Sequence, residues 1–222
     1  MELPNRDQLE SSAAARFARL NATLRHRLED YLGFPPDISR VPESFWQEVQ
    51  DEMNRELAIV LLLVWGASAR QHGLGAELAR TQGLDYADRR AMTVAPQYAA
   101  NSRQALNTAA TRWQESPPTE ADLQADLSTI FGPTRAARVA TTETTRAQTA
   151  GGETATGQTT GLSERDLWIT RRDGRVCPVC APLHRQPRSV WQRQFPAGPG
   201  DDVHPFCRCF ILYAPARRGV AV

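Results

Sequence analysis

"VCPVCAPLHRQ", Val176 to Gln186, and "DDVHPFCRCF", Asp201 to Phe210, hold all four cysteines of this 222-residue chain. Written as spacing, the pattern is Cys177-x2-Cys180, an interval of 23 residues, then His204-x2-Cys207-x-Cys209. A Cys-x2-Cys turn presents two thiolates to one ion, and zinc takes four soft or borderline ligands in a tetrahedron. The second stretch offers three candidates for the two remaining places. In extended backbone Cys207 and Cys209 share a face, whereas a turn at Pro205 brings His204 and Cys207 together. Spacing leaves both arrangements open. The candidate metal ligands are therefore Cys177, Cys180, His204, Cys207 and Cys209, and one structural zinc is expected. The competing readings are reduced, packed thiols, disulfides, or a redox pair, the last without the βαβ pattern of a thioredoxin-like fold. His184, just behind the first knuckle, is a weaker substitute ligand. His26 and His72 fall on helical segments without partners.

The sequence around these knuckles suits a small module that needs a staple. "LWIT", Leu167 to Thr170, and "CFILY", Cys209 to Tyr213, are β-type runs. An Asp-Gly turn is expected at 173–174. Proline, glycine and arginine fill the interval with little periodicity, and a module that buries little apolar surface usually depends on a metal or disulfide.

Upstream the texture is helical. Phe17, Leu20, Leu24, Leu28 and Tyr31 recur at helical spacing over 11–32, and Gly33, Pro35 and Pro36 end that segment. A longer helix is expected over 44–72, with Trp46, Val49, Met53, Leu57, Val60 and Val64 on its buried face and a capping box at Ser44 and Gln47. Further helices are expected over 74–81, 85–115 and 119–130, broken at Gly83 and at Ser116-Pro117-Pro118. None of these faces gathers acids, histidines or cysteines. Residues 1–130 read as a helical scaffold and 131–222 as a second domain holding the Cys/His cluster. The fold class expected is α+β: a helical N-terminal scaffold with a small zinc-stapled C-terminal module. From Phe131 to Ala150 the chain has helical character, but 151–161 is rich in Thr and Gly and by composition resembles a linker.

Composition narrows the function classes. The 26 basic residues, all arginine, face 25 acidic ones, so no global basic field points to nucleic acid. Ser163 to Arg218 is locally basic, with ten arginines against five acids, which suits either phosphate contacts or a solvated surface. The N-terminus lacks the pattern of a secretory signal. The longest apolar run, Leu57 to Ala67, is well short of the roughly 20 residues a spanning helix needs. A cytosolic chain without membrane contact is expected, where clustered cysteines favour metal over disulfide.

Three segments carry a family resemblance. "ARVATTETTRAQTAG", "LWITRRDGRVCPVCAPL" and "DDVHPFCRCF" resemble the C-terminal domain of the Mu F-like phage minor head proteins, also called head morphogenesis proteins. The matching positions are Thr142, Glu143, Thr144 and Arg146, then Trp168, Thr170, Asp173, Arg175, Cys177 and Cys180, then His204, Pro205, Cys207, Arg208 and Cys209. The resemblance spans roughly residues 131 to 213. It departs where "APLHRQ" and "GDDVHP" replace the family's usual Leu-x-Gly and proline-pair segments. It implies that the Thr-Glu-Thr segment is helical, and it implies a structural role. Such proteins enter the procapsid, associate with the portal protein and other head proteins, and support packaging or delivery of DNA. The implied location is the virion or procapsid interior, with the bacterial host cytoplasm during assembly. Non-specific binding of double-stranded DNA is a secondary expectation.

Supporting roles are expected for the remaining motif residues. Trp168 would pack the helix against the β module, its indole N–H needing an acceptor. Asp173 with Gly174 would shape the turn before the knuckle. Arg208 would point away from the metal and pair with Glu143 or Asp173, while Glu143 and Arg146 could equally be plain helix surface. No enzymatic activity is expected. An HNH-type nuclease needs further His and Asn ligands downstream, and the thirteen residues after Cys209 include neither. A zinc-finger nucleic-acid binder usually places a basic helix in the metal loop. Here Pro182, Pro187, Pro196 and Pro199 interrupt that interval.

Overall fold

The computed structural model describes residues 3–171, 177–200 and 203–214. Helix α1 spans Arg6–Leu32, α2 Glu43–Gln71, α3 Ala76–Glu115, α4 Glu120–Phe131 and α5 Pro133–Thr159. Strand β1 (Leu167–Ile169), a one-turn helix α6 (Arg188–Trp191) and strand β2 (Phe210–Leu212) follow. The strands pair antiparallel, with Trp168 opposite Ile211. The protein is thus mostly helical with one small sheet, an α+β arrangement. Among the described residues no helix is long and apolar enough to cross a membrane.

The chain divides into two compact units, and neither is one continuous stretch. Unit 1 gathers the described residues of Met1–Glu10, Val60–Tyr86 and Thr141–Val222, and unit 2 is Ser11–Ile59 with Ala87–Ala140. Unit 2 is built on the helical periodicity of its sequence. Phe17, Leu24 and Leu28 of α1, Phe45, Val49, Met53 and Leu57 of α2, and Leu127 of α4 are fully buried. Phe45 stands edge-on to Tyr31, Trp46 and Phe131. Buried polar groups here are satisfied: Asn21 donates to the Gly132 carbonyl at 3.2 Å and accepts from the Tyr98 hydroxyl at 2.7 Å.

Two helix boundaries differ from expectation. α2 starts at Glu43, so Ser44 lies inside its first turn and caps nothing. The preceding Pro42 carbonyl accepts the Phe45 N–H at 3.1 Å and starts the helix. A reciprocal capping box does exist at α4, between Thr119 and Asp122. The expected break at Gly83 is also absent, and α3 runs through it. A Cβ at Gly83 would meet Leu62 Cδ1 at 3.1 Å and Trp65 Cε3 at 3.2 Å. The glycine therefore serves close packing, not helix termination.

In unit 1 the Thr- and Gly-rich stretch that resembles a linker is the C-terminal half of α5. Its buried face is polar: Thr144, Thr145, Gln148, Thr149 and Thr156 are all buried. The hydroxyls reach backbone carbonyls, Thr149 that of Pro199 (3.1 Å) and Thr159 those of Ala155 (2.8 Å) and His72 (3.2 Å). Ser68 of α2 donates to the Gln148 carbonyl at 2.7 Å. Burial of Thr145, Gln148 and Thr149 is tolerated because each has a hydrogen-bond partner, whereas the Thr144 hydroxyl has none among the described residues. Gly151 sets the approach of α5 to α2, since a Cβ there would lie 2.4 Å from the Trp65 carbonyl oxygen.

Candidate metal centre

The first knuckle is a tight turn. Cys180 N–H donates to the Cys177 carbonyl (3.2 Å) and to Cys177 Sγ (3.3 Å), and Ala181 N–H donates to the same carbonyl (3.0 Å). The second knuckle turns at Pro205 and Phe206, where Phe206 adopts a positive φ of 65°. Its N–H donates to Thr142 Oγ1 of α5 at 3.1 Å. Of the two arrangements that spacing left open, Cys207 and Cys209 do share a group, whereas His204 joins the first knuckle and not Cys207. His204 faces the first knuckle, with Nε2 2.9 Å from Cys177 Sγ and 3.2 Å from Cys180 Sγ. Cys207 and Cys209 both face Cys180, with Cys207 Sγ 3.9 Å from Cys180 Sγ.

Five donor atoms thus form two groups that share Cys180. Cys177, Cys180 and His204 make one, and Cys180, Cys207 and Cys209 the other; within each, the donors lie within 4.8 Å of one another. A tetrahedral ion with sulfur bonds of about 2.3 Å holds its ligands roughly 3.8 Å apart, close to the Cys180–Cys207 separation. All four cysteines are free thiols, and Cys180, Cys207 and Cys209 are buried. These clusters can hold a metal ion.

Electrostatics and tautomer agree with that use. Hydrogen bonds from Cys180 and then Cys209 pull the Cys207 thiol well below the ordinary range. The same contact with Cys207 pushes Cys180 up. Thiolate is the form that binds metals. His204 Nδ1 lies 2.6 Å from the Pro205 carbonyl. With its proton on Nδ1, the ring directs the Nε2 lone pair at the two sulfurs, as a ligating histidine does. Trp168, fully buried, has an indole N–H without a normal hydrogen bond. It lies near the Cys209 sulfur; contact with Cys180 pulls that thiol down, but Cys207 and burial push it up overall to about 12, and Trp168 opposes this only slightly. That orphaned donor fits a charged, metal-bound sulfur.

The surrounding module is small and apolar. Trp168, Trp191, Leu183 and Ile211 pack with the cysteines, and Trp168 meets Trp191 edge-on at 5.8 Å. Behind them Arg188 and Asp166, both buried, pair at 3.2 Å, and Arg188 also reaches Glu153 of α5 at 2.8 Å. His184, the substitute candidate, is engaged elsewhere: its Nδ1 accepts from the Thr170 N–H at 3.2 Å. His72 packs edge-on to Tyr213.

The other motif residues are placed as follows. Thr145, which stands between the motif's Thr144 and Arg146, hydrogen-bonds the Cys207 carbonyl through Oγ1. Glu143, buried, pairs with Arg146 at 2.9 Å, and Arg146 Nε donates to the Gly200 carbonyl. Asp173 and Arg175 lie outside the described residues. Arg208 reaches two partners that were not expected, Asp7 Oδ1 at 3.2 Å and Glu10 Oε1 at 3.5 Å.

The first turn of α1 is the part of the site that the sequence reading missed. Arg6, 1% exposed, donates to Gln148 Oε1 (2.8 Å), Thr145 Oγ1 (2.5 Å) and the Cys209 carbonyl (3.5 Å). Asp7 takes both Nη atoms of Arg171, and that hydrogen bonding holds its carboxyl below the usual range. A signal was present: Asp7 is an acid suited to a helix N-terminus, though nothing local tells what Arg6 would reach.

Comparison of the chain with protein-family models, curated proteins and solved structures finds no match.

Proposed function

We propose that this protein is a phage or prophage minor head protein of the Mu F-like kind, a non-enzymatic assembly component with one structural zinc in its C-terminal module. The observation that carries the reading is the contact between the three resembling segments. Thr142 and Thr145 of the Thr-Glu-Thr helix bind the backbone of the His-Pro-x-Cys-Arg-Cys segment, whose His and Cys side chains meet Cys177 and Cys180. Thiolate and imidazole donors in a buried group favour zinc among the common metals. A zinc closed by four protein ligands has no position for water, so its role is to hold two loops together. The partners in this reading are the portal protein and other head proteins inside the procapsid. Contact with double-stranded DNA is secondary.

The test is metal content of the purified full chain, with Cys177→Ser and Cys209→Ser, followed by co-expression with the portal protein of the same phage or prophage. About one zinc per chain, lost in both variants, and co-purification with the portal support the reading. Metal-free reduced protein with an intact fold removes the zinc. Failure of the zinc-loaded protein to join the portal removes the assembly role. Salt-sensitive duplex binding in its place would favour a nucleic-acid-binding protein, and metal-dependent DNA cleavage lost in Cys177→Ser would favour a nuclease.

A further inference from the structure

The first turn of α1 belongs with the metal module in unit 1, and it grips one segment there, Cys207–Cys209. Arg6 is 1% exposed. Its guanidinium donates to Thr145 Oγ1 at 2.5 Å, to Gln148 Oε1 at 2.8 Å and, more weakly, to the Cys209 carbonyl at 3.5 Å. A guanidinium can only donate. The Thr145 hydroxyl therefore accepts from Arg6 and turns its own proton to the Cys207 carbonyl. One side chain thus fixes the carbonyls of two candidate ligands, that of Cys207 through Thr145 and that of Cys209 directly.

Arg208, between those ligands, is held from the same turn, by Asp7 at 3.2 Å and Glu10 at 3.5 Å. Glu10 also accepts from Thr141 Oγ1 at 2.9 Å and flanks Arg6 Nε at 3.7 Å. Asp7 is largely exposed, so its ion pairs add little. The grip therefore depends mainly on buried Arg6. A tetrahedral ion needs the sulfurs of this segment at fixed separations. Metal and helix thus order the same three residues, the metal from their side chains and the helix from their main chain. Each lowers the ordering cost left to the other.

Resting on the zinc reading, we propose that Arg6 is a positioning residue of the metal centre, and that docking of the first turn of α1 and occupancy of the site by zinc favour one another. The coupling is reciprocal: whatever factor the docked turn adds to zinc affinity, zinc adds to the docking of the turn.

The test is the zinc affinity of the reduced full chain, measured by competition with a chromogenic chelator, together with hydrogen exchange at the amides of residues 6–10 with and without zinc. Arg6→Gln should weaken zinc binding by about 10–100-fold, the usual effect of losing a group that orients a metal ligand. Thr145→Val, a smaller change that breaks the same relay, should weaken it at least about tenfold. Zinc should slow exchange at residues 6–10 in the wild type and lose that effect in Arg6→Gln. Asn21→Ala, which removes a buried bond of unit 2, should lower Tm and leave zinc affinity unchanged, so general destabilisation is distinguished from positioning. Wild-type affinity in both Arg6→Gln and Thr145→Val, or exchange at residues 6–10 indifferent to zinc, overturns the proposal and leaves the metal reading standing. A wild-type chain that binds no zinc overturns both.

Discussion

Replacing Gly151 by alanine places a methyl group of α5 against the main chain of α2. The new Cβ would lie 2.4 Å from the Trp65 carbonyl oxygen and 3.2 Å from both its carbonyl carbon and its Cα. Favourable carbon contacts begin near 3.5 Å, so the two helices must separate by about 1 Å. A carbonyl inside a helix cannot rotate aside as a side chain can. Overpacking of this kind costs about 1–3 kcal/mol, and a backbone clash belongs at the upper end. Against it stands the gain of about 1 kcal/mol when alanine replaces a helical glycine. The net expectation is a loss of about 2 kcal/mol, or a Tm lower by about 4–8 °C for a chain of this size. Gly157 of the same helix is the control. Its Cβ would meet nothing nearer than Leu162 Cγ at 3.9 Å, so Gly157→Ala should raise Tm by about 2–4 °C. Thermal unfolding followed by circular dichroism reads both. A Gly151→Ala protein as stable as Gly157→Ala would refute the close approach of α5 and α2.

Two further outcomes follow from buried polar groups. Arg188→Met strands the buried Asp166 carboxylate and should cost about 3–5 kcal/mol, moderated by the N–H bonds that Asp166 accepts from Ser163 and Ala214. Asp166→Asn added to Arg188→Met should recover part of that loss in urea unfolding, and additive losses would count against the pairing. Burial pushes the Tyr98 hydroxyl up to about 12, though Arg135 and Asn21 pull it back in part. The folded state therefore holds this proton more tightly than the unfolded chain does. The stability it contributes is complete below about pH 10 and is lost as pH rises towards 12, on the order of 1.4 kcal/mol per pH unit. Tyr98→Phe should flatten the alkaline limb of a stability–pH curve. An unchanged slope would mean that Tyr98 ionises as freely as in the unfolded chain.

Helical periodicity made most of α1, α2 and α4 legible, because burial on a helix face repeats every few residues whatever the partner is. Phe17, Leu24, Leu28, Met53 and Leu57 are buried as that spacing requires. The failures have a common cause. Gly83 reads as a breaker until Leu62 and Trp65 are seen against it. The Thr-rich end of α5 reads as a linker because local composition does not reveal which carbonyls its hydroxyls will meet. Helix starts fail similarly: Ser44 matches a cap by residue type, but Pro42 had already set the boundary.

The sequence by itself determined which atoms were available for a metal and that they came in two clusters, since a Cys-x2-Cys turn is a local geometry. Only the tertiary structure decided that Cys180 joins both groups, that His204 faces the first knuckle, and that His184 is bound to Thr170 instead. It alone brought Arg6 to Thr145 across 139 residues and Thr145 to the Cys207 carbonyl across 62. Periodicity and turn chemistry act over a few residues, whereas donor convergence and the satisfaction of buried polar groups depend on segments that meet only when the chain has folded.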